Sequence, residues 1–282
     1  MSVKDSGILY VASSEKYFRE AIISVKTVRK LGIKLPVVIF VSKDLCEEAK
    51  SYFDDVLVID QPQNSFVDKI TPIRDSPFVN TLFLDTDTKV YEDITHLYSL
   101  LEKFDLAFSV APVRNGYNVD VPEWFLEPNT GVLLYRKSTA FYELVNEWLV
   151  IYQRQLNSKN KPPHDQSSLR LALFYSSMSF YVLGCEYNFR SVFPCVIPGN
   201  ISIKIFHDRH PLIITDSLYE ISTRTKVESY RLSPKIFLPD LQKYRTRLFV
   251  VSDGMLRIPN FKDLVVLIWL GTRKRLRRVL HI

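Results

Sequence analysis

Leu82-Phe83-Leu84-Asp85-Thr86-Asp87-Thr88 is an apolar run that stops on two acids one residue apart. Leu82 to Leu84 has the character of a buried strand bounded by polar residues. Ligands of open α/β sheets bind at the carboxyl ends of the strands, and Asp85 and Asp87 stand where such an end is expected. On an extended chain residues i and i+2 point the same way, so both carboxylates can face one ligand. Two carboxylates form a hard-oxygen site for Mg2+ or Mn2+, ions that complete their shell with substrate phosphates. Taken alone, the same residues also describe a strand end followed by a solvated aspartate turn, and their spacing is common.

Upstream, Gly7 to Ala12 is an apolar run suited to a buried strand, and Phe18, Ala21, Ile22, Val25 and Val28 then fall on one helical face that Gly32 brings to a stop. Pro36 to Val41 predicts a second strand, Asp44 to Phe53 a short polar helix, Asp55 to Ile59 a third strand, and the region around Lys69 another helix. Downstream, Leu106 to Val110 and Asn129 to Tyr135 read as strands, Phe141 to Tyr152 and Asp165 to Phe174 as helices, and Phe180 to Leu183 and Ile201 to Phe206 as short strands. Alternating strands and helices predict an α/β fold: a mostly parallel, Rossmann-like sheet flanked by helices. The expected organisation is one unit over residues 1–210, dividing at about 110. Residues 211–282 form an extension.

The 282 residues are 46% hydrophobic, with 18 Phe and 15 Tyr, enough to bury a substantial core rather than stay disordered. Cys46, Cys185 and Cys195 include no CxxC pair, so neither a zinc site nor a disulfide scaffold is signalled. Cys185 and Cys195 can bridge, but free thiols in a reducing compartment are the expectation. Met1 to Gly7 lacks an apolar core, so no signal peptide is expected, and the location expected is cytoplasmic. Five cations of the net +6 lie in Arg273-Lys274-Arg275-Leu276-Arg277-Arg278, and the body without them is near neutral. A nucleic-acid partner is therefore not expected. Leu264 to Leu270 is intensely apolar but too short to span a bilayer. With Trp269 and the cations that follow, the segment 264–278 suits peripheral attachment to an anionic membrane surface. A core or interface helix ending in a solvated basic tail is the alternative.

Several segments in order resemble the A-type-fold glycosyltransferases, particularly the glycogenin-like, family 8 group. Gly7 to Tyr17 looks like their first nucleotide-binding strand and following helix. Lys69 lies where they carry a lysine, and Ser76 to Asp87 resembles the strand with the metal-binding Asp-x-Asp. Asn129-Thr130-Gly131-Val132, His164-Asp165-Gln166, Glu186-Tyr187-Asn188-Phe189-Arg190 and Lys204-Ile205-Phe206-His207 resemble later landmarks. The coverage runs from about Gly7 to Arg209, and the resemblance implies that residues 1–210 are a catalytic unit with a donor half to about 110 and an acceptor half from 111.

The resemblance implies a nucleoside-diphosphate sugar donor, UDP-linked, a Mn2+ or Mg2+ ion, transfer to a hydroxyl on a glycan, lipid or protein, and retention of anomeric configuration. Asp85, Asp87 and His207 are the implied metal ligands, with Thr86 between the acids also at the donor. His207 otherwise reads as a strand-end histidine, and Asp208 stands where the family has glycine. Lys69 and Arg209 are candidate phosphate partners, one a point charge and the other a bidentate fork, unless they are solvated surface cations; Arg74 is a weaker candidate. Val11, Ala12 and Ser13 are the expected cradle for the base. Tyr17 either stacks on that base or packs on the core. Asp165 and Gln166 open a helix, where an aspartate can also be a cap; the resemblance places them, with Asn129, beside the sugar as catalytic residues. Trp124 either lines the acceptor or packs in the core.

Two other readings remain open. A nucleotidyltransferase would carry a glycine-rich phosphate loop after the first strand, and Ala12-Ser13-Ser14-Glu15 offers none. A catalytically inactive membrane-surface binding protein of the same fold need not keep Asp85, Asp87 and His207 together.

Overall fold

The computed structural model describes residues 5–63, 65–111, 120–158, 164–190 and 202–207, together with four short strands beyond them. A seven-stranded sheet forms the centre. In chain order its strands are β1 (Ser6–Ala12), β2 (Val37–Val41), β3 (Asp55–Val58), β4 (Asn80–Leu84), β6 (Leu106–Val110), β7 (Pro128–Arg136) and β8 (Phe180–Leu183). The spatial order is β3-β2-β1-β4-β7-β6-β8. β5 (Thr88–Val90) and β9 (Ile205–His207) pair separately as a two-stranded ribbon.

β1, β2 and β4 are buried almost end to end, as strands covered on both faces are. Alternate residues feed two cores. Ile8, Tyr10 and Ala12 join Phe18, Ala21 and Val25 of α1 (Glu15–Lys30) on one side. Leu9 and Phe83 join Phe141, Val145 and Trp148 of α4 (Thr139–Ser158) on the other, with Leu169 and Leu173 of α5 (Asp165–Phe174). Gly32, at φ 71°, ends α1 as expected.

β1, β2, β3 and β4 are mutually parallel, and β6 is parallel to β8, but β7 runs antiparallel to both β4 and β6. The sheet is therefore mostly parallel with one reversed strand. That reversal puts the start of β7, with Asn129 and Gly131, at the same edge as the end of β4. The polar helix expected over Asp44 to Phe53 is shorter: a 3-10 turn, Lys43–Leu45, leads into α2 (Cys46–Ala49). α3 (Val67–Arg74) carries Lys69.

From β1 the chain runs outward to β2 and β3, then returns across the sheet to β4 on the other side. The crevice between β1 and β4 is thus a topological switch point, where open α/β sheets bind ligands. Cys46 is a free thiol. Cys195, Arg209 and the segment 264–278 lie outside the described residues. The expected extension is described only as two antiparallel pairs, β10 (Lys235–Leu238) with β11 (Lys243–Thr246) and β12 (Val250–Ser252) with β13 (Met255–Arg257). Among the described residues, no helix is long and apolar enough to cross a membrane.

Candidate active site

Asp85 follows β4 directly. Its backbone N–H donates to Gly131 O at 2.7 Å, and its carbonyl accepts from the Thr88 N–H at 3.1 Å and the Thr88 hydroxyl at 2.7 Å. The residues Asp85 to Thr88 therefore form a turn rather than an extended strand end. The two carboxylates converge through that turn, not through strand alternation. The Thr86 hydroxyl donates to Glu20 of α1 at 3.0 Å, tying the turn to that helix. On the same side Tyr10, Ser24 and Thr88 link their hydroxyls in a buried series, and burial raises the Tyr10 pKa.

His207 reaches the turn through the ribbon, in which β9 pairs antiparallel with β5 and sets His207 opposite Thr88. Its Nε2 lies 3.2 Å from Asp87 Oδ1 and 3.6 Å from Asp85 Oδ2. One ligand atom from each of Asp85, Asp87 and His207 falls within 4.8 Å of the others. Gly131 makes this possible. A Cβ there would stand 2.1 Å from His207 Cε1 and 2.9 Å from Asp85 Oδ2, so only glycine leaves room for both groups.

Lys69 is buried beside this cluster. Its Nζ lies 2.9 Å from Asp85 Oδ1 and 3.0 Å from Asp165 Oδ2, and donates to Thr130 Oγ1 at 3.1 Å. Thr130 in turn donates to Asp165 at 2.6 Å. Burial opposes the Lys69 charge, but Asp165 and Asp85 outweigh it and raise the lysine pKa. Burial likewise opposes the Asp165 charge, and Lys69, with hydrogen bonds from His164 and Thr130, holds that carboxyl well below the ordinary range. Lys69 is therefore no solvated surface cation. It joins the Asp85 carboxylate to the Asp165 carboxylate. Trp148 Nε1 donates to Asp165 O at 2.9 Å, fixing the start of α5 against α4.

A line of buried amides leads away from His207. His207 Nδ1 is 2.7 Å from Asn188 Oδ1, Asn188 Nδ2 donates to Asn129 Oδ1 at 2.8 Å, and Asn129 Nδ2 donates to Gln166 Oε1 at 3.1 Å. Gln166 Nε2 donates to Glu127 Oε1 at 3.2 Å, and the Gly131 N–H donates to Asn129 Oδ1 at 3.0 Å. Asn129, Asp165 and Gln166 are thus brought together with Asp85, Asp87, His207 and Lys69. Glu127 carries no sequence signal, because its partner Gln166 is far along the chain. Thr130 and Asn188 stand in landmark segments, but their contacts with Asp165 and His207 exist only in three dimensions.

Val11, Ala12 and Ser13 sit at the end of β1, which pairs with β4. Tyr17, in the first turn of α1, is 37% exposed rather than packed in the core, with Lys16 Nζ 5.7 Å from its ring centroid. Arg74 pairs with the neighbouring Asp75 at the end of α3. Trp124 is 77% exposed, so it is not a core residue, and its ring contacts Phe125 and Phe174 edge-on.

No protein-family model matches the sequence, and no curated protein matches it. Solved structures do. The glycosyltransferase GlyE of Streptococcus pneumoniae TIGR4 superposes with a TM-score of 0.52 at 21% identity, over 72% of this chain and 54% of that one. An active-site mutant of LgtC superposes at 0.50 with 12% identity, over 72% of this chain and 88% of that one. The chain has the A-type glycosyltransferase fold. In that A-type frame the carboxylates, His207 and the Lys69–Asp165 pair gather at the edge where β1 and β4 end. This chain spans about half the length of the GlyE chain.

Proposed function

We propose that this chain is a metal-dependent glycosyltransferase. It moves a sugar from a nucleoside-diphosphate sugar, UDP-linked, to an acceptor hydroxyl on a glycan, lipid or protein, with retention. The observation that carries the reading is the convergence of Asp85, Asp87 and His207 at the β1–β4 switch point beside the buried Lys69–Asp165 pair.

The residues fit a divalent cation. Two carboxylate oxygens and one imidazole nitrogen suit Mn2+, and the imidazole favours it over Mg2+. Such an ion, when bound, supplies Lewis-acid stabilisation of the departing diphosphate. The chain's own residues do the rest. Asp85 and Asp87 concentrate negative charge where the ion sits, and Lys69 offsets part of it while holding Asp165 ionised. Asp165, Gln166 and Asn129 present fixed polar groups to the sugar, already oriented by Thr130, Trp148 and Asn188, so that little reorganisation is left for the reaction. Val11, Ala12 and Ser13 receive the base and Tyr17 stacks on it; Thr86 braces the turn, and Arg209 contacts the diphosphate. Residues 1–210 form the catalytic unit, and 264–278 attach the chain to an anionic membrane surface.

A thermal-shift panel of nucleotides with and without Mn2+ tests this, because a ligand that binds the native state raises its apparent stability. UDP with Mn2+ is expected to stabilise more than GDP or CMP, and UDP-sugar hydrolysis is expected to need the metal. Equal shifts for all nucleotides, or hydrolysis indifferent to Mn2+ and to Asp87→Asn, would rule the reading out. Hydrolysis absent despite a UDP–Mn2+ shift would point to the inactive binding protein.

A further inference from the structure

The line of amides from His207 to Glu127 has one direction, because the Gly131 backbone N–H fixes it. The Gly131 backbone N–H can only donate, so the atom of Asn129 that meets it is oxygen. That oxygen also faces Asn188, so Asn188 presents its NH2 there and its oxygen to His207. The Asn129 NH2 is then left for the Gln166 oxygen, and the Gln166 NH2 for Glu127. His207, Asn188, Asn129, Gln166 and Glu127 are all buried, so water is not available to swap the roles.

We propose that Asn188 is a positioning residue that holds a proton on His207 Nδ1 and so turns Nε2 toward Asp85 and Asp87. The purpose assigned to that orientation rests on the metal-site reading above. A metal-ligating histidine donates its other ring N–H to an acceptor that fixes ring orientation, and removal of such partners costs 10–100-fold in metal affinity. Asn188 supplies that acceptor, and the Gly131 backbone enforces its direction through Asn129.

Two measurements on the full chain test the assignment. In protein with 15N-labelled histidine, the His207 Nδ1, which faces the Asn188 oxygen at 2.7 Å, is expected to be protonated. A His207→Ala variant identifies the signals. A bare Nδ1 overturns the proposal. In calorimetric titrations with Mn2+, Asn188→Ala is expected to weaken binding about 10–100-fold. Asn188→Asp keeps an acceptor for Nδ1–H and is expected to bind more tightly than Asn188→Ala. A purely structural asparagine predicts the reverse order, since the new carboxylate would face the Asn129 oxygen, and that order overturns the proposal. Should the Asn188 variants not fold, the nitrogen shifts of the wild type decide alone. Wild-type protein that takes up no Mn2+, or an Asp87→Asn variant that takes it up equally well, sinks the metal reading. The Nδ1 assignment still stands or falls on the nitrogen shifts.

Discussion

At Lys69 one ammonium stands between two carboxylates that belong to different parts of the site. Its removal would strand Asp165, which is buried and depends on Lys69 for its ionised form. Breaking a buried pair by deleting one partner costs about 3–5 kcal/mol, and Lys69→Met is expected to lose stability on that scale in urea unfolding at neutral pH. The pH dependence has a definite sign. Asp165 has a depressed native pKa, so its contribution is present above the unfolded value, about 3.9, and fades as pH falls through the lower native one. In Lys69→Met burial is opposed only by the hydrogen bonds from His164 and Thr130, so the Asp165 pKa is higher than in the wild type and the variant loses less stability on acidification. The stability gap between the two proteins is expected to be largest near neutrality and to shrink below about pH 4. A gap independent of pH would refute this account. At the same scale Asp85, Asp87, Lys69 and Asp165 were legible in the sequence as chemistry-bearing types. The Lys69–Asp165 pairing was not, because it joins α3 to α5 across the end of the sheet. Gly131 was legible as a landmark; its reason, the absent Cβ between His207 and Asp85, appears only in three dimensions.

Among the elements, β1, α1, β4 and α5 were readable because each carries a long apolar pattern and a clear stop. The direction of β7 was not, since an alternation of apolar residues reads the same from either end. β5 was missed because three residues give no periodicity. Yet that strand and β9 together deliver His207. The ribbon has three paired residues a side, against five register pairs each in β1–β2 and β4–β7. Short elements with few partners open at lower free energy than the core. Amide exchange in the metal-free protein is therefore expected to be faster over Thr88–Val90 and Ile205–His207 than over β1, β4 or β7. Addition of Mn2+ and UDP is expected to slow the ribbon most. Uniform protection across all strands would contradict the picture.

Over the whole molecule, charge is unevenly placed: five cations, against a net charge of +6, lie in 273–278, far along the chain from the candidate site residues. A chain cut after Asn260 loses Leu264 to Leu270 and all five of those cations. It is expected to keep the UDP–Mn2+ thermal shift and to stop pelleting with anionic liposomes. The full chain is expected to pellet and to be released only in part by salt, since each basic residue near such a surface contributes about 1 kcal/mol that salt screens while the apolar run inserts. Unchanged liposome binding, or unfolding on truncation, would assign the segment to the protein's own interior. The fold class followed from the alternation of strands and helices. Nothing in that alternation predicts how the chain beyond 207 is arranged, since its apolar and basic runs are compatible with either a surface helix or a core one.

The β5–β9 ribbon also bears on the order in which the molecule assembles. Near its base Lys204 pairs with Glu92, 112 positions away, and closing a loop of that length costs about 4 kcal/mol of chain entropy before any contact repays it. The parallel sheet, built from closer neighbours, is favoured to form first, and the ribbon docks onto a scaffold already in place. On the proposed metal reading, a cation that needs His207 would then arrive too late to template folding. Its grip is felt on the return journey, as slower unfolding rather than faster refolding.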